Sequence, residues 1–557
     1  MQSDPDMDSV PTDMVQARPG DSVVSLGGNT SDESYLNAAS VLAVAEAEGV
    51  DSLHPGIGFL SEDPNFAKLM RDHRINFIGP PVSSMETMGN KSNAINTTIN
   101  IGVPVVPGSH GIVSSSERAA EIAEEIGYPV LLKAVHGGGG KGIQVVEREG
   151  QIHSLFQQVT TEARSAFGNG DVYIEKFVTS LRHIEVQILR DTHGTTQVLG
   201  LRDCSVQRNN QKLMEESGST MLPAELRQQV FDYARKIADA VSYVGAGTVE
   251  FIYDVPSNAV YFMEMNTRLQ VEHPVTEMVT DVDIVKHQFE IASGGSIADL
   301  DFEESGYALE VRINAERIQQ DAEGNVSFVP TPGLITRCEL PGQADVDVMS
   351  MAATGKSVSP FYDSLVAQII VKGEDRADTT RKMIAYLDNV KIEGICTNIP
   401  LIKRILADEQ FTGGEYDTGY LPAFLARTDI PALIAEIEAA SGMSAKGMDL
   451  EQLRIEGSDE IKVLSPSTGV FYTTPSPSEP DYVAVNDVIS TEDVLFQMEA
   501  MKMFTPITLK SFSGEGGELY PSDTQYQVTR INNVSGQQVN EGDLLFVLKQ
   551  IRSVEAA

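Results

Sequence analysis

At 557 residues the chain has room for about three or four domains with ample core in each. Asp and Glu number 80 against 41 Lys and Arg, a formal charge of −39 that argues against nucleic acid or an anionic membrane as partner and leaves any anionic substrate to local basic residues. No apolar run approaches membrane-spanning length, no signal-peptide core opens the chain, and the scattered Cys204, Cys338 and Cys396 form neither a metal-spaced pair nor a disulfide framework, which indicates a reducing, cytoplasmic setting.

Residues 1–15 are acidic and polar, with Asp4, Asp6, Asp8 and Asp13. Helical periodicity predicts helices over 35–48 and 65–74, separated by the loop His54-Pro55-Gly56-Ile57-Gly58-Phe59-Leu60-Ser61-Glu62 and followed by Phe77-Ile78-Gly79-Pro80-Pro81. Short strands alternating with helices, with Gly or Pro at the junctions, indicate a parallel α/β layer. Lys91 opens the next helix, a strand and turn cover 103–108, and a helix covers 116–126. The strand over 129–134 carries Lys133 into His136-Gly137-Gly138-Gly139-Gly140-Lys141-Gly142 and out through 143–146. A glycine run between strands can wrap its N–H groups around a phosphate because no Cβ blocks the approach. It lacks the glycine spacing of a Walker A loop and is equally readable as a linker, but Lys133 and Lys141 favour phosphate.

Strands over 172–178 and 183–189 lead to Arg202-Asp203-Cys204-Ser205-Val206-Gln207-Arg208-Asn209-Asn210-Gln211-Lys212, a segment dense in hydrogen-bonding groups that reads as the wall of a site. Taken singly, His183 and Lys212 are as readily surface or satisfied core residues. The most informative stretch is 262–278, F-M-E-M-N-T-R-L-Q-V-E-H-P-V-T-E-M, in which Glu264, Asn266, Arg268, Gln270 and Glu272 occupy every second position. Strand side chains alternate between faces, so this spacing predicts one strand bearing a polar row above a mostly apolar one. Strands over 247–253 and 260–265 flank the turn Asp254-Val255-Pro256-Ser257-Asn258, and folding that hairpin sets Glu250 nearly opposite Glu264. Facing carboxylates repel unless a cation or proton lies between them. With the Asn266 oxygen the set is all-oxygen, which suits Mg²⁺ or Mn²⁺ better than zinc. Two exposed acids on a surface hairpin are the alternative.

The segments H-P-G-I-G-F-L-S-E, K-A-V-H-G-G-G-G-K-G, R-D-C-S-V-Q-R, E-M-N-T-R-L-Q-V-E-H-P-V-T-E and R-I-N-A-E resemble the biotin carboxylase subunit of biotin-dependent carboxylases, an ATP-grasp fold, over most of residues 1–426. Further on, 428–441 reads as a helix and 442–458 as a polar linker, before short strands and turns over 460–548. That last region, with Thr474-Pro475-Ser476-Pro477-Ser478 and Glu499-Ala500-Met501-Lys502-Met503, resembles a biotin carboxyl carrier domain with the protruding thumb of bacterial acetyl-CoA carboxylase carriers. The implied fold class is α/β and α+β. It comprises an N-terminally truncated pre-ATP-grasp α/β domain (1–89), an ATP-grasp domain (90–300), a biotin carboxylase C-terminal domain (307–426), a helix and linker (427–458) and a flattened all-β biotinyl barrel (459–549). The family's opening β-α unit is missing, which is expected to leave the first sheet incomplete, and 514–527 reads as an insertion in the carrier.

The resemblance implies that ATP phosphorylates bicarbonate and that biotin, covalently bound to Lys502, is then carboxylated. It assigns the Mg²⁺ or Mn²⁺ to Glu250, Glu264 and Asn266, and phosphate binding to Lys91, Lys133, Gly137, Gly138, Gly139, Gly140, Lys141 and Gly142 as a closing lid. Glu175, Lys176, Val178, His183, Gln207 and Asn210 fall on the nucleotide side, Asn210 standing where the family has histidine. Lys212, Arg268, Gln270 and Val271 would fix bicarbonate, Glu272 would act as general base, and Arg312 would stabilise the biotin enolate. A homo-oligomer is expected, with biotin protein ligase and a separate carboxyltransferase as partners and neither nucleic acid nor membrane. The thumb favours acetyl-CoA as acceptor; propionyl-CoA, methylcrotonoyl-CoA and pyruvate stay open, as do a non-catalytic carrier and a carbamoyl-phosphate type of ligase.

Overall fold

The structure, a computed structural model, describes residues 22–551 except 29, 136–142, 168, 209–210, 219–221, 321–323, 443–449, 456, 477–478, 502, 515–516 and 522–523. Its backbone element is an eight-stranded sheet in the spatial order Ala259–Asn266, Gly245–Asp254, Leu181–Arg190, Thr196–Arg208, Gln211–Ser217, Tyr307–Asn314, Leu365–Gly373 and Val346–Ser350. Every neighbouring pair is antiparallel. The Gln211–Ser217 strand pairs with Tyr307–Asn314 through Ala308↔Ser217 to Val311↔Met214, so one ladder runs through both the 90–300 and the 307–426 spans. The strands buried in its middle carry charged residues amid their apolar ones, which only mutual pairing makes tolerable.

Helix Ala224–Ala240 covers part of this sheet with Leu226, Val230, Ala234 and Ile237, a spacing that keeps one helical face apolar. A smaller antiparallel sheet, Ile143–Val146, Val130–Ala134 and Val172–Lys176, packs beneath helices Ser116–Ile126 and Ile152–Phe167. Towards the N-terminus, helices Ala38–Ala47 and Pro64–Asp72 flank a short parallel pair in which Ser52 faces Asn76 and Leu53 faces Phe77, the layer that the Gly and Pro junctions indicate. No described helix is long and apolar enough to cross a membrane.

The polar row of 262–278 does not lie on one strand. The strand ends at Asn266, Leu269 turns into a core with Leu189, Ala246 and Ile284, and Glu272 is the N-cap residue of helix His273–Thr280. Pro274 in the first helical turn explains the end of the ladder, because proline lacks the N–H a strand needs and is preorganised for a helix start. A bulge between Phe262 and Glu264 also makes Met263 the unpaired residue and turns it into the cavity instead of the buried row.

Helix Ile430–Ala440, capped by Asp429, buries Leu433 and Ile437 in the core of the preceding domain. Two four-stranded sheets make up the C-terminal barrel. The first has the order Glu460–Leu464, Leu544–Ile551, Gln525–Ile531, Val488–Ile489, and the second Met503–Thr508, Val494–Ala500, Gly469–Tyr472, Gln537–Val539. Between them Phe471, Phe496 and Phe546 meet at centroid distances of 5.2, 5.9 and 5.6 Å. The 514–527 segment contributes to this core: Leu519, Tyr520 and Tyr526 are buried in it, and residues 525–527 begin a core strand. The barrel touches the rest of the chain at the turn after Val494–Ala500. There Met501, in the left-handed region at φ 52°, donates its N–H to the Pro360 carbonyl at 2.6 Å and buries its side chain in the preceding domain's core.

Phe546→Ala removes the centre of the aromatic trio and is expected to cost about 3–5 kcal/mol. Hydrogen exchange should show the barrel strands losing protection while those of the eight-stranded sheet keep theirs.

Candidate active site

The polar residues of the large sheet converge on one cavity of about 670 Å³. A row of cross-strand partners, Arg202↔Glu185, Glu185↔Glu250 and Glu250↔Glu264, runs from beneath the cavity into its lining, so four charged side chains from four adjacent strands stand side by side. Register alone aligns them, since directly opposed strand residues share a face.

Arg202 is fully buried and uses all five of its N–H groups. Its Nε donates to Glu185 Oε2 at 3.1 Å, Nη1 to Gln187 Oε1 at 2.8 Å and Thr276 Oγ1 at 3.1 Å, and Nη2 to Thr248 Oγ1 at 3.0 Å and Gln270 Oε1 at 2.6 Å. Lys212 donates to Glu185 Oε1, to Glu272 Oε1 at 2.5 Å and to Glu250 Oε1 at 3.4 Å. From the other side Arg312 Nη2 reaches Glu272 Oε2 at 3.0 Å while its Nε holds Glu215 Oε1 at 2.6 Å. Burial by itself would raise the Glu272 carboxyl, but Lys212, Arg312 and Arg202 together hold it well below the usual carboxylate range. Burial likewise opposes the charge on Lys212, and Glu185 and Glu272 outweigh it, so the amine stays protonated.

Towards the hairpin, His183 Nε2 bonds Glu250 Oε2 at 2.8 Å, and the Gln207 amide meets His183 Nδ1 at 2.7 Å. Burial disfavours the imidazolium, yet the Glu250 carboxylate raises the His183 pKa overall. Glu264 stands directly across the ladder from Glu250, as folding the hairpin about its turn requires, and burial followed by the Glu250 charge raises its carboxyl. That strain is what a hard cation between the two would relieve, and their oxygens suit Mg²⁺ or Mn²⁺. Asn266 directs its Nδ2 at Glu250 Oε1, 2.6 Å away, and its oxygen at Arg268, so Glu250 and Glu264 fit the ion directly and Asn266 does so only with its amide turned. Arg268 also pairs with Glu62 at 3.2 Å, which ties the His54–Glu62 loop to this wall.

Family models match the chain in four consecutive blocks. They are a biotin carboxylase N-terminal domain at 5–85, the ATP-binding domain of the carbamoyl-phosphate synthase L chain at 90–300, a biotin carboxylase C-terminal domain at 310–423 and a biotin-requiring enzyme domain at 461–548. Biotin carboxylase 1 of Bacillus subtilis is 45% identical over 416 residues, 74% of this chain and 91% of that protein. The chain belongs to the biotin carboxylase family. It is an ATP-dependent carboxylase with a biotin domain on the same polypeptide. The 2-oxoglutarate carboxylase small subunit of Hydrogenobacter thermophilus is 42% identical over 72% of this chain and 84% of its own length. Among solved structures, a Campylobacter jejuni biotin carboxylase in complex with β,γ-ATP aligns with TM-score 0.64 and 41% identity, covering 71% of this chain and 86% of that one. The Hydrogenobacter thermophilus biotin carboxylase domain dimer with MgADP, ADP and bicarbonate aligns with TM-score 0.63 and 41% identity over 74% and 88%.

The biotin carboxylase cavity gathers Lys133, His183, Gln207, Lys212, Glu250, Glu264, Asn266, Arg268, Gln270, Val271, Glu272 and Arg312. Four expected binding residues do not line it. Lys91 is exposed at a helix start, and its charge is felt by Glu264; Glu175 joins only through its ion pair with Lys133. Lys176 instead donates to the Gly127 and Tyr128 carbonyls at 2.8 and 3.2 Å, and Val178 is outside the lining. Gly137 to Gly142 with Lys141, Asn210 and Lys502 lie outside the described residues. Glu185 and Glu215 are given no role by the resemblance and Arg202 only a place in the wall segment, although a polar residue at every second place of the 183–187 strand is a legible signal.

Arg202→Met leaves a buried charge uncompensated, and an expected loss of about 3–5 kcal/mol should appear as a lower urea midpoint.

Proposed function

We propose that this enzyme performs the first half-reaction of an acyl-CoA carboxylase, the ATP-dependent carboxylation of carrier-bound biotin with bicarbonate, and that its carrier is its own C-terminal barrel. The observation that carries this reading is the meeting, in one cavity, of an acidic pair and a cluster of cations around a single carboxylate: Glu250 and Glu264 on one side, Lys212 and Arg312 about Glu272 on the other.

Glu250 and Glu264 would hold the Mg²⁺ or Mn²⁺, with Asn266 beside them; when bound, the ion neutralises charge on the nucleotide phosphates. Lys133 binds phosphate oxygens, and the family resemblance assigns Lys91 and the 137–142 glycine segment with Lys141 to the same phosphates. His183 and Gln207 form the nucleotide side, with Glu175 joined through Lys133, and the family resemblance adds Lys176, Val178 and Asn210. Phosphorylation turns bicarbonate into a carboxyl donor, and the fork of Arg268, with Gln270 and Val271, orients it.

Glu272 takes the bicarbonate proton. While both Lys212 and Arg312 bond to it, its carboxylate is a poor base. An anion that draws either cation away raises the proton affinity of Glu272, so substrate binding itself arms the base. Arg312 then offers its charge to the oxygen of the biotin ureido group.

Lys502 is the biotin attachment residue. The neighbouring Met501 contacts Pro360, three residues before Asp363 in the lining of the same cavity, which supports transfer within one chain. Tethering supplies effective concentrations up to about millimolar. The acceptor half-reaction falls to a partner carboxyltransferase, biotin protein ligase loads Lys502, and the chain works as a homo-oligomer. The thumb-like 474–478 segment favours acetyl-CoA, hence supply of malonyl units for fatty-acid synthesis.

Bicarbonate-dependent ATP hydrolysis stimulated by free biotin tests the reading; its absence in a metal-replete, folded preparation refutes it. Glu272→Gln should lower that biotin-dependent rate at least about 100-fold with nucleotide binding by calorimetry unchanged. Glu264→Gln should raise the Mg²⁺ needed for half-maximal rate about tenfold or more, and chelation by EDTA should abolish turnover reversibly. Lys502→Ala should erase the streptavidin blot signal and keep free-biotin turnover.

A further inference from the structure

Behind Arg312 lies a pair of acids that the proposed chemistry leaves unused. Glu310 on the Tyr307–Asn314 strand and Glu215 on Gln211–Ser217 are register partners, and both are fully buried. Directly opposed antiparallel residues sit about 5 Å apart at Cα with side chains on one face. Glu215 gives Oε1 to Arg312. Glu310 gives Oε1 to the Gln368 amide at 2.8 Å, and the same Gln368 nitrogen donates to the Val271 carbonyl at 2.9 Å. The remaining oxygen of each acid, Oε2, is buried and meets no donor.

Two bare carboxylate oxygens on register partners of one face, in a low-dielectric interior, are each a desolvated acceptor near a like charge. One proton resolves both faults, because a carboxylic acid can donate to a carboxylate. The surroundings choose its owner. Glu215 is bonded to a guanidinium and gains from staying ionised, whereas Glu310 bonds only a neutral amide. Burial, and after it the Glu272 charge, push Glu215 up to about 7, and burial with the Glu215 charge raises Glu310 well above the usual carboxylate range, even with Arg312 near both.

We propose that Glu310 is a positioning residue held as a neutral carboxylic acid that donates to Glu215. Through Glu215 it sets the angle of Arg312, and through Gln368 it sets the Val271 carbonyl, so the biotin side and the bicarbonate side of the site are fastened at one point. This rests on the roles given above to Arg312 and Val271.

The test uses the full biotinylated chain. Glu310→Gln keeps an N–H for Glu215 and an oxygen for Gln368, so kcat with free biotin should stay within about threefold. Glu310→Leu keeps neither, and leaving the Glu215 oxygen unpaired should cut kcat about 10- to 100-fold with the KM for ATP unchanged. An infrared difference spectrum of wild type minus Glu310→Gln at neutral pH should contain the C=O stretch of a neutral carboxylic acid. Loss of activity in Glu310→Gln equal to that in Glu310→Leu, or absence of that band, overturns the proposal. Arg312→Met, measured alongside, separates the two levels: wild-type activity there refutes the role of Arg312 itself, whereas a loss there with a silent Glu310→Leu refutes only the fastening.

Discussion

Charge buried beneath the cavity must be neutralised within the sheet, and the rest of the site depends on how that is done. A guanidinium removed from water survives only if each N–H finds an acceptor, and Arg202 meets that condition with side chains from two strands, a helix and the turn that leads into that helix. Its demand fixes Glu185 and Gln270 at once. Glu185 in turn meets Lys212, which spans to Glu250 and Glu272, so these cavity carboxylates inherit their places from a residue that does not line the cavity.

The same arrangement sorts chemistry across the cavity. On the hairpin side the charge is in excess negative, with Glu264 opposed to Glu250 and no cationic side chain bonded to Glu264 among the described residues. On the other, Lys212 and Arg312 depress Glu272. A nucleotide with its metal ion and an inorganic anion therefore have complementary ends to occupy, despite an overall charge of −39 that would repel both. The barrel, which matches a biotin-requiring enzyme domain, approaches the Pro360 loop through Met501, close in sequence to Asp363 in the cavity lining.

Much of this was legible in the linear order of residues because it is local. The hairpin about Ser257, the facing of Glu250 and Glu264, the helix starts at Lys91 and Ser116 and the all-β character of the last segment all follow from turn residues and side-chain periodicity over fewer than twenty positions. Where the reading failed, a neighbour decided. Alternation ran on to Glu272, but Pro274 and the burial of Leu269 ended the strand at Asn266; the polar residues still converge because a turn can deliver them as well as a strand.

By itself the sequence determined which chemical groups are present and, through several motifs in order, the family and its reaction. Only the tertiary structure decided that a single sheet joins the 90–300 and 307–426 spans, that Arg202 is the hub, and that Glu310 meets Glu215. Those partners lie tens of residues apart, and strand pairing between them leaves no periodicity in either segment, so the meeting of their charges becomes visible only once the register is known.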